Sequence, residues 1–320
     1  MLAVNAMAQY GGTGSGSGTT GGSGTTGGSG ATGGGPASVY NFHQNYHVGF
    51  DSPEAWGLKY FASTTMLSGL QPPVTEGHRF GSITVGFEMG WLPTLDLGQR
   101  TIGFKGQVPE DLNQSQIFVR PVLRVGLPRK FSLVLAAPPP FRVFGVTPRL
   151  LAFGLERPIL ERPQWTLSWR GYGQVGSVKG SFTCPASVLG FEPGSLQNRT
   201  ECVARSEDVA SLRYAGMEFQ FAYRIPSMPK LVPHAAAGGN FIDGVFQVNA
   251  PVEDGMDRTR LWTRGGTFSG SAGISYLLTK KATFTVDAFY SPLWVQRSAT
   301  APRTNDGLFN VRALISYSFR

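Results

Sequence analysis

The chain of 320 residues carries a formal charge of +8, yet only 15% of its residues are charged, against 41% hydrophobic, 12% aromatic and 43 glycines. No run of about eighteen apolar residues occurs, which excludes a transmembrane helix. The 21 arginines and 7 lysines are dispersed rather than clustered, which argues against a nucleic-acid partner and leaves anionic lipid or an anion path.

In chain order, MLAVNAMAQY holds Ala6-Met7-Ala8 before Gln9. That is the small-x-small pattern at the end of a secretory signal, and residues 1–8 are read as a signal-peptide remnant. Residues 9–37 are rich in Gly, Ser and Thr and contain TTGGSG twice. Such a segment cannot bury apolar surface and reads as a disordered tether, with residues 38–320 forming the folded unit.

From Val39 onward apolar and polar residues alternate with period two, the mark of a strand with one apolar face. Tyr40, Phe42, Tyr46, Val48 and Phe50 oppose Asn41, His43, Asn45 and His47. AWGLKYFASTTM alternates less cleanly, whereas Ile83, Val85, Phe87, Met89 and Trp91 oppose Ser82, Thr84, Gly86, Glu88 and Gly90 without exception. QIFVRPVLRVG, KFSLVLAA, RLLAFGLE, QWTLSWRGYGQ, RYAGMEFQFAY, LVPHAAAGG, TFSGSAGISYLL, ATFTVDAFYS and the terminal FNVRALISYSFR bring the total to twelve candidate strands.

Long and short connections take turns. Short links fall at 127–130, 157–163, 224–230 and 279–281, and longer ones near 93–114, 138–147, 176–210, 244–262 and 292–306. Tight turns at one end and long loops at the other describe an up-and-down, membrane-spanning antiparallel β-barrel, all-β in class. An even number of strands places both termini on the tight-turn, periplasmic side and the long loops outside.

The final strand carries Phe309, Val311, Ala313, Ile315, Tyr317 and Phe319 on one face. It resembles the C-terminal assembly signal of bacterial outer-membrane β-barrel proteins, through Ile315, Tyr317 and Phe319. Arg320 departs from that pattern by displacing the aromatic from the last position. The resemblance implies residence in a cell outer membrane of Gram-negative type, among lipid and lipopolysaccharide, with the barrel-assembly machinery as a partner.

Charges facing lipid would cost about 2–4 kcal/mol each for Arg or Lys at the bilayer centre. Lys59, Arg120, Arg124, Arg170 and Arg312, with Glu88, Glu218 and Asp287, are therefore assigned to the lumen as pore-lining residues. Their basic surplus suits a porin-like passive channel for small, anionic solutes. If the charges neutralise one another, the barrel is instead a structural or surface-interaction element, an anchor or adhesin. A hydrolase acting on lipid or peptide is a further alternative, but no His-x-Ser or Asp-x-His pattern supports an enzyme.

Cys184 and Cys202 lie in the polar 176–210 segment, where an exported protein joins them as a loop disulfide serving a lid or a recognition surface. Gly171, Gly173 and Gly176 match G-x-G-x-x-G but sit in an alternating strand with no helix following, so they are read as wall glycines. His43 and His47 lie about 13 Å apart along a strand, too far to share a metal. No cofactor or metal is expected.

Overall fold

A computed structural model of the protein describes residues 44–67, 80–103, 108–110, 112, 116–142 and 145–319. The signal remnant, the glycine-rich tether, His43 and Arg320 lie outside these residues. Ten strands form the wall: β2 (Ile83–Trp91), β3 (Ile117–Gly126), β4 (Ser132–Ala136), β5 (Thr147–Glu161), β6 (Trp165–Gly180), β7 (Asp208–Tyr223), β8 (Leu231–Gln247), β9 (Arg260–Leu277), β10 (Ala282–Ser291) and β11 (Leu308–Ser318). Each is antiparallel to the next, and β11 pairs back onto β2 from Val311 opposite Trp91 to Ser318 opposite Thr84. The barrel is closed, and every wall strand finds backbone partners on both sides over at least part of its length, so the ring has no free-standing edge strand.

Ten wall strands replace the twelve expected. The candidate at 40–50 contributes, among the described residues, only β1 (Asn45–His47), an extra strand parallel to Arg260–Trp262 of β9. It occupies the edge of β9 beyond the stretch where β10 pairs, Gly270–Leu277. His47 packs on Trp262, with ring centroids 4.1 Å apart, rather than facing the lumen.

The candidate at 55–66 is a helix, α1 (Pro53–Thr64). Ser52 caps it by accepting from the Ala55 amide at 3.2 Å, Pro53 sits in the first turn, and Glu54 adds a negative charge there, all of which favour a helix start. Its residues are buried on every side: Trp56, Lys59, Tyr60 and Ala62 are each at most 2% exposed. Inside the closed ring a further strand would find no strand edge to pair with, whereas a helix satisfies its own backbone.

The side chains obey the wall alternation. Ile83, Val85, Phe87, Met89 and Trp91 point outward, 41–49% exposed, while Glu88 between them is buried. The same outward apolar set continues through Phe153, Phe219, Phe241, Ile274, Val286 and Ile315. Trp91, Tyr290 and Phe309 lie toward one rim of this belt, and Trp165, Tyr223, Tyr276, Tyr317 and Phe319 toward the other.

The turns at 127–131, 162–164, 224–230 and 278–281 share one end of the barrel with Ile83 and Ser318; the longer connections share the other. The wall thus begins and ends at the tight-turn end, as an even count requires. The described chain, however, starts at the opposite end. The Arg260 amide donates to Gln44 O, and β1 lies beside Arg260. From there the chain reaches β2 by way of a helix lodged inside the barrel.

Candidate functional site: the filled lumen

The C-terminal end of α1 leaves carbonyls that the helix itself cannot satisfy. Two buried wall arginines take them. Arg120 donates to Thr65 O at 2.7 Å and Arg312 to Met66 O at 2.7 Å. Guanidinium groups at a helix C-terminus are favourable both as donors and against the helix dipole. Tyr214 completes the grip, its hydroxyl accepting from the Leu67 amide at 2.8 Å, while Gln174 donates to Thr65 Oγ1 at 3.0 Å. Arg312 also lies over the Phe289 ring at 4.0 Å. At this level the lumen is occupied by helix end, guanidinia and phenol together.

The remaining inward charges pair across the wall. Glu88 and Arg120 are register partners joined at 2.7 Å. Glu156 receives Arg124 and Arg170, each at 3.0 Å, and Arg170 reaches Glu218 at 3.1 Å. Asp287 lies 3.3 Å from His234 Nε2. All these side chains are buried. Such pairs persist away from water when counter-charge and hydrogen bonds replace the lost solvation.

Lys59 alone of the expected lining set is not on the wall. It projects from α1 toward the long loops, donating to Trp294 O at 2.5 Å, over the Phe50 ring at 4.5 Å and 3.9 Å from Asp51. Burial lowers its pKa to about 8, with Asp51 opposing that shift in part. Sequence reasoning missed Glu156 and His234, although Glu156 keeps phase with Leu150, Ala152 and Gly154 on the inward face of β5. Adding Glu156 and removing Lys59 changes the balance. Arg120, Arg124, Arg170 and Arg312 face Glu88, Glu156, Glu218 and Asp287, so the basic surplus vanishes. Among the described residues no three His, Cys, Asp or Glu side chains come together as a metal site.

At the long-loop end Cys184 and Cys202 form a disulfide with Cα atoms 5.6 Å apart. Buried Asp208, at the start of β7, gathers four donors around it: the amides of Phe182, Thr183 and Asn249 and the Ser206 hydroxyl, all at 2.7–3.0 Å. The loop is also stitched to the β8–β9 hairpin, Val203 N donating to Pro251 O and Glu253 N to Glu201 O, both at 3.0 Å. The glycine-rich 171–176 run lies inside β6. Gly176 has φ +131, and a Cβ there would stand 2.1 Å from Arg149 O, so glycine is a steric demand of the wall.

A closed antiparallel barrel with an apolar exterior and a polar interior resembles bacterial outer-membrane β-barrel proteins. No family model matches the chain, and no curated protein matches it. Solved structures share parts of the architecture at low identity. The outer-membrane protease OmpT of Escherichia coli aligns at 11% identity and TM-score 0.38, over 80% of this chain and 100% of its own. The toluene transporter TodX of Pseudomonas putida aligns at 9% and 0.31, over 88% and 99%. The attachment invasion locus protein Ail of Yersinia pestis aligns at 9% and 0.29, over 75% and 100%. None of these similarities assigns an activity to the chain.

Proposed function

We propose that the protein is an outer-membrane barrel closed by its own N-terminal helix, serving as an anchor for surface interaction rather than as an open channel. One observation carries this reading: α1 is buried on all sides within a ring of wall strands whose inward charges are already matched. A porin-like path needs continuous water and a charge field that a solute can feel. Here the guanidinia that would supply the field hold helix carbonyls and carboxylates instead.

The outward apolar belt between two aromatic rims supports residence in a bilayer. Ile315, Tyr317 and Phe319, exposed on the last strand, suit the role of an assembly signal. With the long loops outside, Gln44, bonded through its carbonyl to the Arg260 amide, lies on that outer side.

The test is single-channel recording of the refolded protein in a planar bilayer, paired with an epitope inserted before Gln44 in whole cells. The reading predicts no steady current and an epitope that added protease removes from intact cells. It also predicts that deleting residues 53–66 opens a conductance of weak ion selectivity, because the helix that fills the lumen is gone while the wall charges still match. Steady current from the intact protein would restore the channel reading, and an epitope cut only after the membrane is breached would reverse the orientation.

A further inference from the structure

A concavity of about 740 Å³ lies where the disulfide loop meets the β8–β9 hairpin. Four cations border it, Lys179, Arg205, Arg258 and Arg260, against one carboxylate, Glu207. This is a strong local imbalance in a molecule whose lumen is neutralised. The position is set by register. Lys179, Val209, Gln247 and Arg260 are successive cross-strand partners on β6, β7, β8 and β9. Each shares its strand's outward phase with a lipid-belt residue, Val175, Met217, Phe241 and Phe268. The row therefore faces away from the barrel axis.

Its height follows from strand geometry. Gln247 stands six positions beyond Phe241 on β8, about 20 Å along the strand and about 15 Å above that belt residue once a tilt near 40° is allowed for. Between row and belt, Arg213 and Arg264 flank Asp243 in register, and Arg264 pairs with it at 3.0 Å. Basic side chains thus climb from the edge of the apolar belt to the concavity.

The floor is rigid. Gln247 donates to Arg258 O at 2.8 Å and to Val248 O at 2.9 Å. Asn249 bonds Glu207 O at 3.0 Å, and its amide joins the Asp208 cluster. Arg205 follows three positions after Cys202, between the Cys184–Cys202 disulfide and the Asp208 cluster, and Glu201 and Val203 just before it are laced to Glu253 and Pro251.

We propose that this concavity binds the phosphorylated saccharide headgroup of an outer-leaflet glycolipid, with Lys179, Arg205, Arg258 and Arg260 as phosphate ligands and the disulfide loop as the clamp that presents Arg205. The proposal rests on the outer-membrane reading. Clustered cations on a preorganised floor suit phosphate through charge-assisted hydrogen bonds. The outward aim and the height just above the belt select an anchored headgroup, with several phosphates on one saccharide, over a soluble anion.

The experiment uses the refolded, disulfide-bonded protein in detergent, with native mass spectrometry counting bound rough lipopolysaccharide that has a phosphorylated inner core. The same lipopolysaccharide dephosphorylated with hydrofluoric acid serves as the comparison. Tight binding of the phosphorylated form is expected, weakened at least tenfold by dephosphorylation and by Arg258→Ala/Arg260→Ala. Cys184→Ser/Cys202→Ser should weaken it at least threefold, with heat-modifiable gel mobility checking that each variant remains folded. Millimolar inorganic phosphate should not compete. Equal binding of the two lipopolysaccharides, or unchanged binding by a folded Arg258→Ala/Arg260→Ala variant, would overturn the assignment. Full competition by inorganic phosphate would make the site a small-anion site and overturn the lipid source. These outcomes do not depend on channel recordings, so the anchor reading and this site fail separately.

Discussion

Glu156 holds two guanidinia at once, and its loss is the sharpest single-residue test of the packed lumen. With Glu156→Gln, Arg124 loses the carboxylate it meets at 3.0 Å and Arg170 loses one of the two carboxylates it reaches. Leaving a buried charge without its counter-ion typically costs about 3–5 kcal/mol, so urea unfolding in vesicles should show a loss of that order. A loss below about 1 kcal/mol would mean that water reaches these arginines. Lys59 gives a pH signature. Its folded pKa is about 8, against about 10.4 for an unfolded lysine. Between those values the unfolded chain binds the extra proton, so stability should rise with pH from about 8 to about 10 and lose this contribution on returning to neutrality. Lys59→Met should abolish that rise and be the more stable protein at pH 7, as urea midpoints across the window would show. Period two, with the cost of a charge facing lipid, placed Glu88, Arg120, Arg170 and Arg312 on the inward face, where they are buried. Glu156 escaped because it closes the RLLAFGLE segment, where phase is least apparent. Its pairing with Arg124 joins β3 to β5 across β4, a relation that no local pattern carries.

At the level of elements, α1 is where local pattern misled. Trp56, Leu58, Tyr60 and Ala62 fall on alternate positions by coincidence, and a helix buried on all sides has no polar face to betray a period of 3.6. The better signal was the Ser52-Pro53-Glu54 start, a capping residue followed by proline and an acid. Ser52→Ala should cost about 1 kcal/mol by removing the acceptor of the Ala55 amide. An unchanged unfolding midpoint would argue against a helix there. The short β1 was misread for a related reason, since among the described residues its segment pairs as a strand only at Asn45–His47. The disulfide loop was legible from two cysteines in a polar segment. Its union with the β8–β9 hairpin through Asp208 was not, because those contacts join residues about forty positions apart. Asp208→Ala should leave the barrel folded while making 181–207 readily cleaved by protease, and resistance equal to wild type would show that the Asp208 bonds are dispensable.

For the molecule as a whole, ten of the twelve alternating segments became wall strands, and the alternation of tight turns and long loops emerged as expected. Repeating local rules made this much readable: period two along a strand, and turns of fixed length between antiparallel neighbours. The contents of the lumen could not be read that way. They depend on which segment is left over once the wall closes, and closure is a property of the complete ring. The same global fact reverses the entry point of the chain, since a leftover helix inside the barrel lets Gln44 lie opposite to Ser318.

The account turns on α1 lying against the inner wall, and one cross-link tests it. Ser63 Oγ on the helix and Ser291 Oγ at the end of β10 are 3.5 Å apart, and the native cysteines are already paired with each other. In the Ser63→Cys/Ser291→Cys variant, assembled in membranes and gently oxidised, the account predicts near-complete formation of a second disulfide and no channel current. Persistence of free thiols in a correctly folded, heat-modifiable barrel would contradict it, because the helix would then spend its time elsewhere.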